Sequence, residues 1–432
     1  MPKPSKITIF SYQVGFGDCF LLRFHYSGRD RHVLVDFGTT KLPEGAPKNQ
    51  MVLIAQDIAA KCGNKLDAVV ATHRHADHIS GFATTAAGNG SGDIIRGLNP
   101  DVVLQPWTEA PDADDTTLGP QVSADDRSMG QKLAALQAMH GVAERAVAML
   151  DKGALGAAPP DVADQIDFIG RDNIANRSAV ENLMTMGGAR HYLFHGAPSG
   201  LAAVLPGVDT SVLGPPTLRQ TETIRKMRSK DPDEFWQLSL QSLDQDAALL
   251  PGGEAHNLFP GHPVFPANRL PMEVIWFRKR LDEARAGQML SIVRSLDDQM
   301  NNTSLILLFE IGAKKLLFPG DAQIENWNYA LSKPEVVAKL HDVDLYKVGH
   351  HGSRNATPRS MWALFDKRST EEADPHRLKT MMSTLPGKHG HEKDHTEVPR
   401  KSLVDALEKE SELHSTDALA PGKLYDEVTL DL

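Results

Sequence analysis

Residues 72–81 read Thr-His-Arg-His-Ala-Asp-His-Ile-Ser-Gly, and their reading decides the fold. Four metal-binding side chains fall within six positions: His73, His75, Asp77 and His78. Imidazole and carboxylate suit zinc and its first-row neighbours. The stretch follows Leu66–Ala71 (LDAVVA), a buried strand by length and composition. A loop leaving that strand can turn His73 and His75 toward one point and Asp77 and His78 toward a second. Two metals ~3.5–4 Å apart would clamp an attacking and a leaving oxygen together.

Upstream, Lys6–Phe10, Asp18–Tyr26 and His32–Phe37 are short Ile-, Val-, Leu- and Phe-rich runs separated by glycine-containing turns, as strands are. Asn49–Cys62 has apolar spacings of three and four and stops at Gly63, which predicts an amphipathic helix. Downstream, from Phe82 to about Pro160, Gly, Ala, Asp and Pro are frequent, and Met129–Met149 is the one helical stretch that stands out. Residues 83–190 are expected to be a loop-and-helix insertion over the site. Within it, Ser178–Met186 reads as helix; beyond it, His191–Phe194 and Thr210–Leu213 read as strands. Residues 217–300 are polar and helical (Asp233–Leu243, Met272–Ala286), which predicts a second insertion. Sheet character returns with Ser304–Ile311 and Lys315–Phe318 around the turn Ile311-Gly312-Ala313. A helix is expected near Glu325–Leu331, strands over Val343–Val348 and Lys379–Ser383, and a helix over Arg400–Lys409. Two β-rich blocks separated by helical material predict an α/β chain: one domain over 1–432, two sheets with helices outside, and histidine loops at strand ends.

This motif resembles the HxHxDH signature of the metallo-β-lactamase superfamily. The resemblance implies an αββα sandwich with helical insertions, a hydrolase, and two divalent metal ions. It implies that His73 and His75 bind one metal while Asp77 and His78 bind the other. Asp36, in LVDFG, resembles the early aspartate that shapes the site loop; a plain turn role is its alternative. Asp321, in LFPGDA, resembles the aspartate that bridges the metals, and His350 or His351, in KVGHHGS, the late histidine of the second metal. Strand alternation does not choose between the last two. His350, directly after the strand, is preferred as the ligand, leaving His351 to hold the substrate or protonate the leaving group. GFGDCFLL (15–22), NNTSLILLF (301–309), LLFPGDA (316–322) and LYKVGHHGS (345–353) together resemble the ComEC-like branch, the catalytic domain of DNA-uptake proteins and its stand-alone relatives. That branch implies phosphodiester cleavage, with nucleic acid or a nucleotide as substrate; a lactone or (thio)ester hydrolase is the alternative, and a non-catalytic binding protein a more distant one.

One departure matters. Where many superfamily members carry a third histidine for the first metal, this chain has Met300-Asn301-Asn302-Thr303-Ser304. Asn302 or water would complete that shell, and an oxygen-rich shell makes Mn²⁺ a rival to Zn²⁺. His195, in YLFHGAPSG, is a substitute ligand or, preferably, a polar strand-end histidine. Ser353 and Arg354 are placed to touch a substrate phosphate or to make a turn contact. His389, His391 and His395 read as a solvated loop, and the runs Arg225–Lys230 and Arg278–Arg280 beside Trp276 as a basic rim or a solvated helix face.

The bulk numbers exclude other classes. A formal charge of −10 over 432 residues argues against a protein that coats nucleic acid with its whole surface. Two cysteines, Cys19 and Cys62, exclude a disulfide framework. No window approaches the apolar length of a membrane span, and MPKPSKITIF lacks the core of a signal peptide, so a cytoplasmic location is expected.

Overall fold

Alternation along the strands builds the molecule. In Ile306–Ile311 (β8), Leu307 and Phe309 face one apolar cluster while Ile306 and Leu308 face another. Both sides of this strand are therefore covered, which a continuous apolar run demands. The structure, a computed structural model, describes residues 3–110, 141–153, 158–173, 177–217, 220, scattered positions between 276 and 300, and 301–432 apart from 354, 356, 389 and 391–396.

The first sheet has the order β13-β1-β2-β3-β4-β5-β6: Lys6–Tyr12 (β1), Cys19–His25 (β2), Arg31–Phe37 (β3), Ala68–Val70 (β4), Val102–Pro106 (β5), Ala189–Leu193 (β6) and Tyr425–Asp431 (β13). The second has the order β12-β11-β10-β9-β8-β7, with Asp209–Gly214 (β7), Lys314–Phe318 (β9), Leu345–Lys347 (β10), Lys379–Met382 (β11) and Glu412–Ser415 (β12). Between the sheets lie Ile9, Phe20, Leu22, Val35 and Val70 from one side, and Leu307, Phe309, Phe318 and Met381 from the other. The outer face of the first sheet (Tyr12, Leu34, Val69) is covered by Ile54 and Ile58 of helix Gln50–Lys61 and by Leu183 of helix Arg177–Thr185. The outer face of the second (Leu308, Leu317, Tyr346) is covered by Trp327, Leu340, Phe365 and Leu407. The layers run helix, sheet, sheet, helix.

Two features position the site. Strands β3, β4, β5 and β6 pair in parallel, as do β9, β10, β11 and β12. The C-terminal end of β3 and the loops leaving β4, β9, β10 and β11 all carry site residues, in keeping with the tendency of open parallel sheets to place ligands at strand C-terminal ends. The second feature is the closeness of the two sheets there: Leu305 donates its backbone N–H to Thr72 O at 3.0 Å.

The span 83–190, expected as a loop-and-helix insertion, reaches into the first sheet. Its described flanks belong to the first sheet: helix Ser91–Gly97, β5 and β6. The run Val102–Leu104 is too short, and too closely surrounded by Pro and Asp, to register as a strand by periodicity. Helical residues 141–151 and helix Pro160–Asn173 instead share a separate apolar cluster with the second expected insertion: Val142, Ala146, Met149 and Ile166 pack with Met289, Leu290 and Val293. Asp233–Leu243 lies outside the described residues. Strands β12 and β13 were not expected; β13 pairs antiparallel with β1, Ile9 opposite Val428. Among the described residues no helix is long and apolar enough to cross a membrane.

Candidate metal centre

Asp36 ends β3 in a left-handed conformation (φ 56°) that turns its carboxylate back across the sheet. Its Oδ1 accepts the Thr72 backbone N–H at 2.7 Å; its Oδ2 accepts Thr72 Oγ1 at 2.7 Å and His78 Nδ1 at 2.8 Å. The bond from Nδ1 fixes the orientation of the His78 ring and leaves Nε2 aimed inward. Thr72 Oγ1, its proton given to Asp36, also accepts from His73 Nδ1 at 3.2 Å, which frees His73 Nε2 in the same way. His73 Nε2 then lies 3.0 Å from His75 Nδ1.

The second sheet completes the cluster. Asp321 follows β9 through Gly320, whose φ of +54° suits glycine and where a Cβ would sit 2.8 Å from Thr72 Cβ. Asp321 Oδ2 lies 3.1 Å from His78 Nε2, and Oδ1 accepts the His350 backbone N–H at 2.9 Å. His351 is fully buried, donates Nδ1–H to Ser383 O at 3.0 Å, and brings Nε2 to 2.7 Å from Asp77 Oδ2.

The ligand atoms of Asp77, His78, Asp321 and His351 thus lie within 4.8 Å of one another, and so do those of His73, His75 and Asp77. Asp77 belongs to both groups. His350 is the ligand preferred from the sequence; in the structure it is His351 whose Nε2 lies 2.7 Å from Asp77 Oδ2. The chain turns through left-handed backbone at both residues (φ 45° and 51°), so strand alternation does not continue beyond β10. The half-buried His350 instead pairs its Nδ1 with Ser353 Oγ at 2.9 Å.

Charge explains what the cluster needs. Asp18, Asp36, Asp77 and Asp321 are all buried, and the ammonium beside them among the described cluster residues is that of Lys347. Burial favours the neutral carboxyls of Asp77 and Asp321, but the imidazoles of His78 and His351 outweigh it for Asp77, and His78 with Lys347 for Asp321, and hold both below the usual carboxylate range. Burial likewise opposes a charged His78, yet Asp321, Asp77 and Asp36 push its pKa well up. His73 is held well below its usual value by burial and by His78 and His75. Asp77 Oδ1 is buried with no hydrogen-bond partner among the described residues. Buried carboxylates are stable only when compensated, and mixed imidazole and carboxylate donors fit divalent cations.

Other expected residues stand apart from these two groups. Asn302 Nδ2 donates to Glu325 Oε2 at 3.0 Å, while its buried Oδ1 has no hydrogen-bond partner among the described residues. His195 donates Nδ1–H to Leu213 O at 2.8 Å and packs edge-on against Tyr329, the role of a strand-end histidine. Arg354, His389, His391 and His395 lie outside the described residues. Asp18 and Lys347 were not singled out from the sequence. The signal for Lys347 was a lone charge inside an apolar strand, and for Asp18 a carboxylate between Gly17 and the apolar run of β2.

No curated protein matches this chain. The sequence model of the Metallo-beta-lactamase superfamily matches residues 12–86, from the end of β1 through the ligand loop, and the two-sheet architecture built around that loop is consistent with the αββα sandwich of that superfamily.

Proposed function

We propose that this chain is a phosphodiesterase, acting on nucleic acid or a nucleotide, whose buried cluster holds two divalent cations. The superfamily consists mostly of hydrolases and usually binds divalent metals, which supports the coarser reading. The single observation that carries it is the meeting of Asp77 and His78 with Asp321 and His351. His73, His75 and Asp77 would hold one ion, and Asp77, His78, Asp321 and His351 the other; zinc suits the imidazoles, with manganese the alternative. The ions would acidify water and neutralise charge on the attacked centre.

The chain's own groups supply the rest. Asp77 is an ionised carboxylate at neutral pH and is placed to orient a water and take its proton. Asp36, Thr72 and Ser383 O hold the rings of His78, His73 and His351 at fixed angles. With His351 drawn into the cluster, the proton-donor role falls to His350, half-buried at its edge and braced by Ser353. Supporting the phosphodiester reading are the ComEC-like motif set and exposed Trp276, Lys279 and Arg280, with the Arg280 guanidinium 5.4 Å from the Trp276 ring centre.

The test is an assay of the purified chain on bis-p-nitrophenyl phosphate and on an acyl-lactone, each with Mn²⁺ and with Zn²⁺. Metal-dependent cleavage of the phosphodiester is expected. Cleavage of the lactone alone would overturn the substrate assignment.

A further inference from the structure

Lys347 is a lysine in the middle of the second sheet, 2% exposed. Its ammonium pairs with Asp18, donates to Gly320 O at 3.1 Å, and lies 3.4 Å from Asp321 Oδ1. Asp18 is fully buried, and its backbone N–H donates to Asp77 O at 2.9 Å, so it is anchored to the ligand loop. Its carboxylate lies behind the imidazoles rather than among the inward-facing atoms. Oδ1 is 3.5 Å from His351 Nδ1 and Oδ2 is 3.8 Å from His78 Nδ1. Both Nδ1 atoms already have acceptors, Ser383 O and Asp36 Oδ2. Released from Lys347, the Asp18 side chain would be free to take the His351 Nδ1 hydrogen bond in place of Ser383 O and rotate that ring away from Asp77.

We infer that Lys347 is a positioning residue: its ammonium occupies Asp18 and so keeps the Nε2 atoms of His351 and His78 aimed at the cations. The inference rests on the metal-centre reading above. It also accounts for Asp321, whose Oδ1 is taken by Lys347 and the His350 N–H while Oδ2 faces the cluster.

The test is a Zn²⁺ titration of the metal-stripped full chain, read by competition with a chromophoric chelator. Lys347→Met should weaken binding by at least about tenfold, the scale on which groups behind metal ligands act. Lys347→Arg keeps the charge and should bind more tightly than Lys347→Met. The double variant Asp18→Asn/Lys347→Met removes the carboxylate and the ammonium together and should return to within about threefold of wild type, because the coupled partner is gone. If Lys347→Met fails to fold, the double variant decides. A folded double variant with near-wild-type affinity supports the inference; one that binds at least about tenfold more weakly than wild type overturns it, since the lysine would then act by packing alone. Wild-type affinity in Lys347→Met overturns this inference while leaving the metal centre standing. A wild-type chain that takes up no Zn²⁺ overturns both.

Discussion

Asp77 Oδ2 lies 2.7 Å from His351 Nε2, although 274 positions separate the two residues in the chain. One arrives on the loop after β4 and the other on the loop after β10, so this contact joins the Leu305–Thr72 and His78–Asp321 contacts in tying the two sheets together at their strand ends. The contact brings the local histidine motif and a distant histidine into one cluster.

The two adjacent histidines should separate in their effects. His351→Ala should lower affinity for Zn²⁺ or Mn²⁺ by at least about tenfold. His350→Ala should keep metal affinity and lose turnover by about 10²–10⁴-fold, as removal of a proton donor does. Metal titration and phosphodiester assays on both variants check this, and the reverse pattern would restore His350 as the ligand.

Asp36→Asn tests the brace behind His78. Asparagine tolerates the left-handed backbone at this position, so the fold is retained. An amide cannot accept from both Thr72 donors and His78 Nδ1 with the strength of a carboxylate. Metal affinity should fall by about 10–100-fold. Affinity equal to wild type would mean that Asp36 is only a turn residue.

Gly320→Ala should pull the Asp321 loop away from Thr72. The left-handed backbone alone disfavours alanine by about 1–2 kcal/mol. The added Cβ would also meet Thr72 side-chain atoms at 2.8 and 2.9 Å. Urea unfolding should show a loss of at least that size, accompanied by weaker metal binding; a variant as stable as wild type would contradict the tight approach of the two sheets.

A pH effect should come from His32, away from the metal cluster. Its ring is buried in β3, and both ring nitrogens are without hydrogen-bond partners among the described residues. Burial lowers its pKa from 6.5 to about 4. Between those values the unfolded chain binds a proton that the folded chain refuses, so stability falls as the pH drops from 6.5 toward 4. His32→Leu should remove up to about 1.4 kcal/mol of that loss per pH unit. Urea midpoints of both proteins at pH 7 and pH 5 check it; parallel pH profiles would be the contrary result.

What was legible in the sequence follows from how locally each feature is encoded. The four residues of the 73–78 loop fall within six positions and follow a buried strand, so sequence alone aims them together. Asp321 and the 350/351 pair were legible as strand-end residues. The choice between His350 and His351 was not, because two consecutive left-handed residues break the alternation of β10. Lys347 and Asp18 were passed over because each makes sense only beside the other, and they stand on different sheets. Strand β5 was hidden by its brevity, and β13 by the distance between it and its partner β1.

Because Asp77 belongs to both ligand groups, it offers the most direct test of the central claim, that this cluster binds a pair of divalent cations. The measurement is elemental analysis of the purified wild-type chain and of Asp77→Ala after equilibration with Zn²⁺ or Mn²⁺, with circular dichroism to confirm folding. About two ions per wild-type chain are predicted, as in two-metal hydrolytic sites, and a folded Asp77→Ala should lose them. A wild-type chain without metal, or a folded Asp77→Ala with its full complement, would contradict the account.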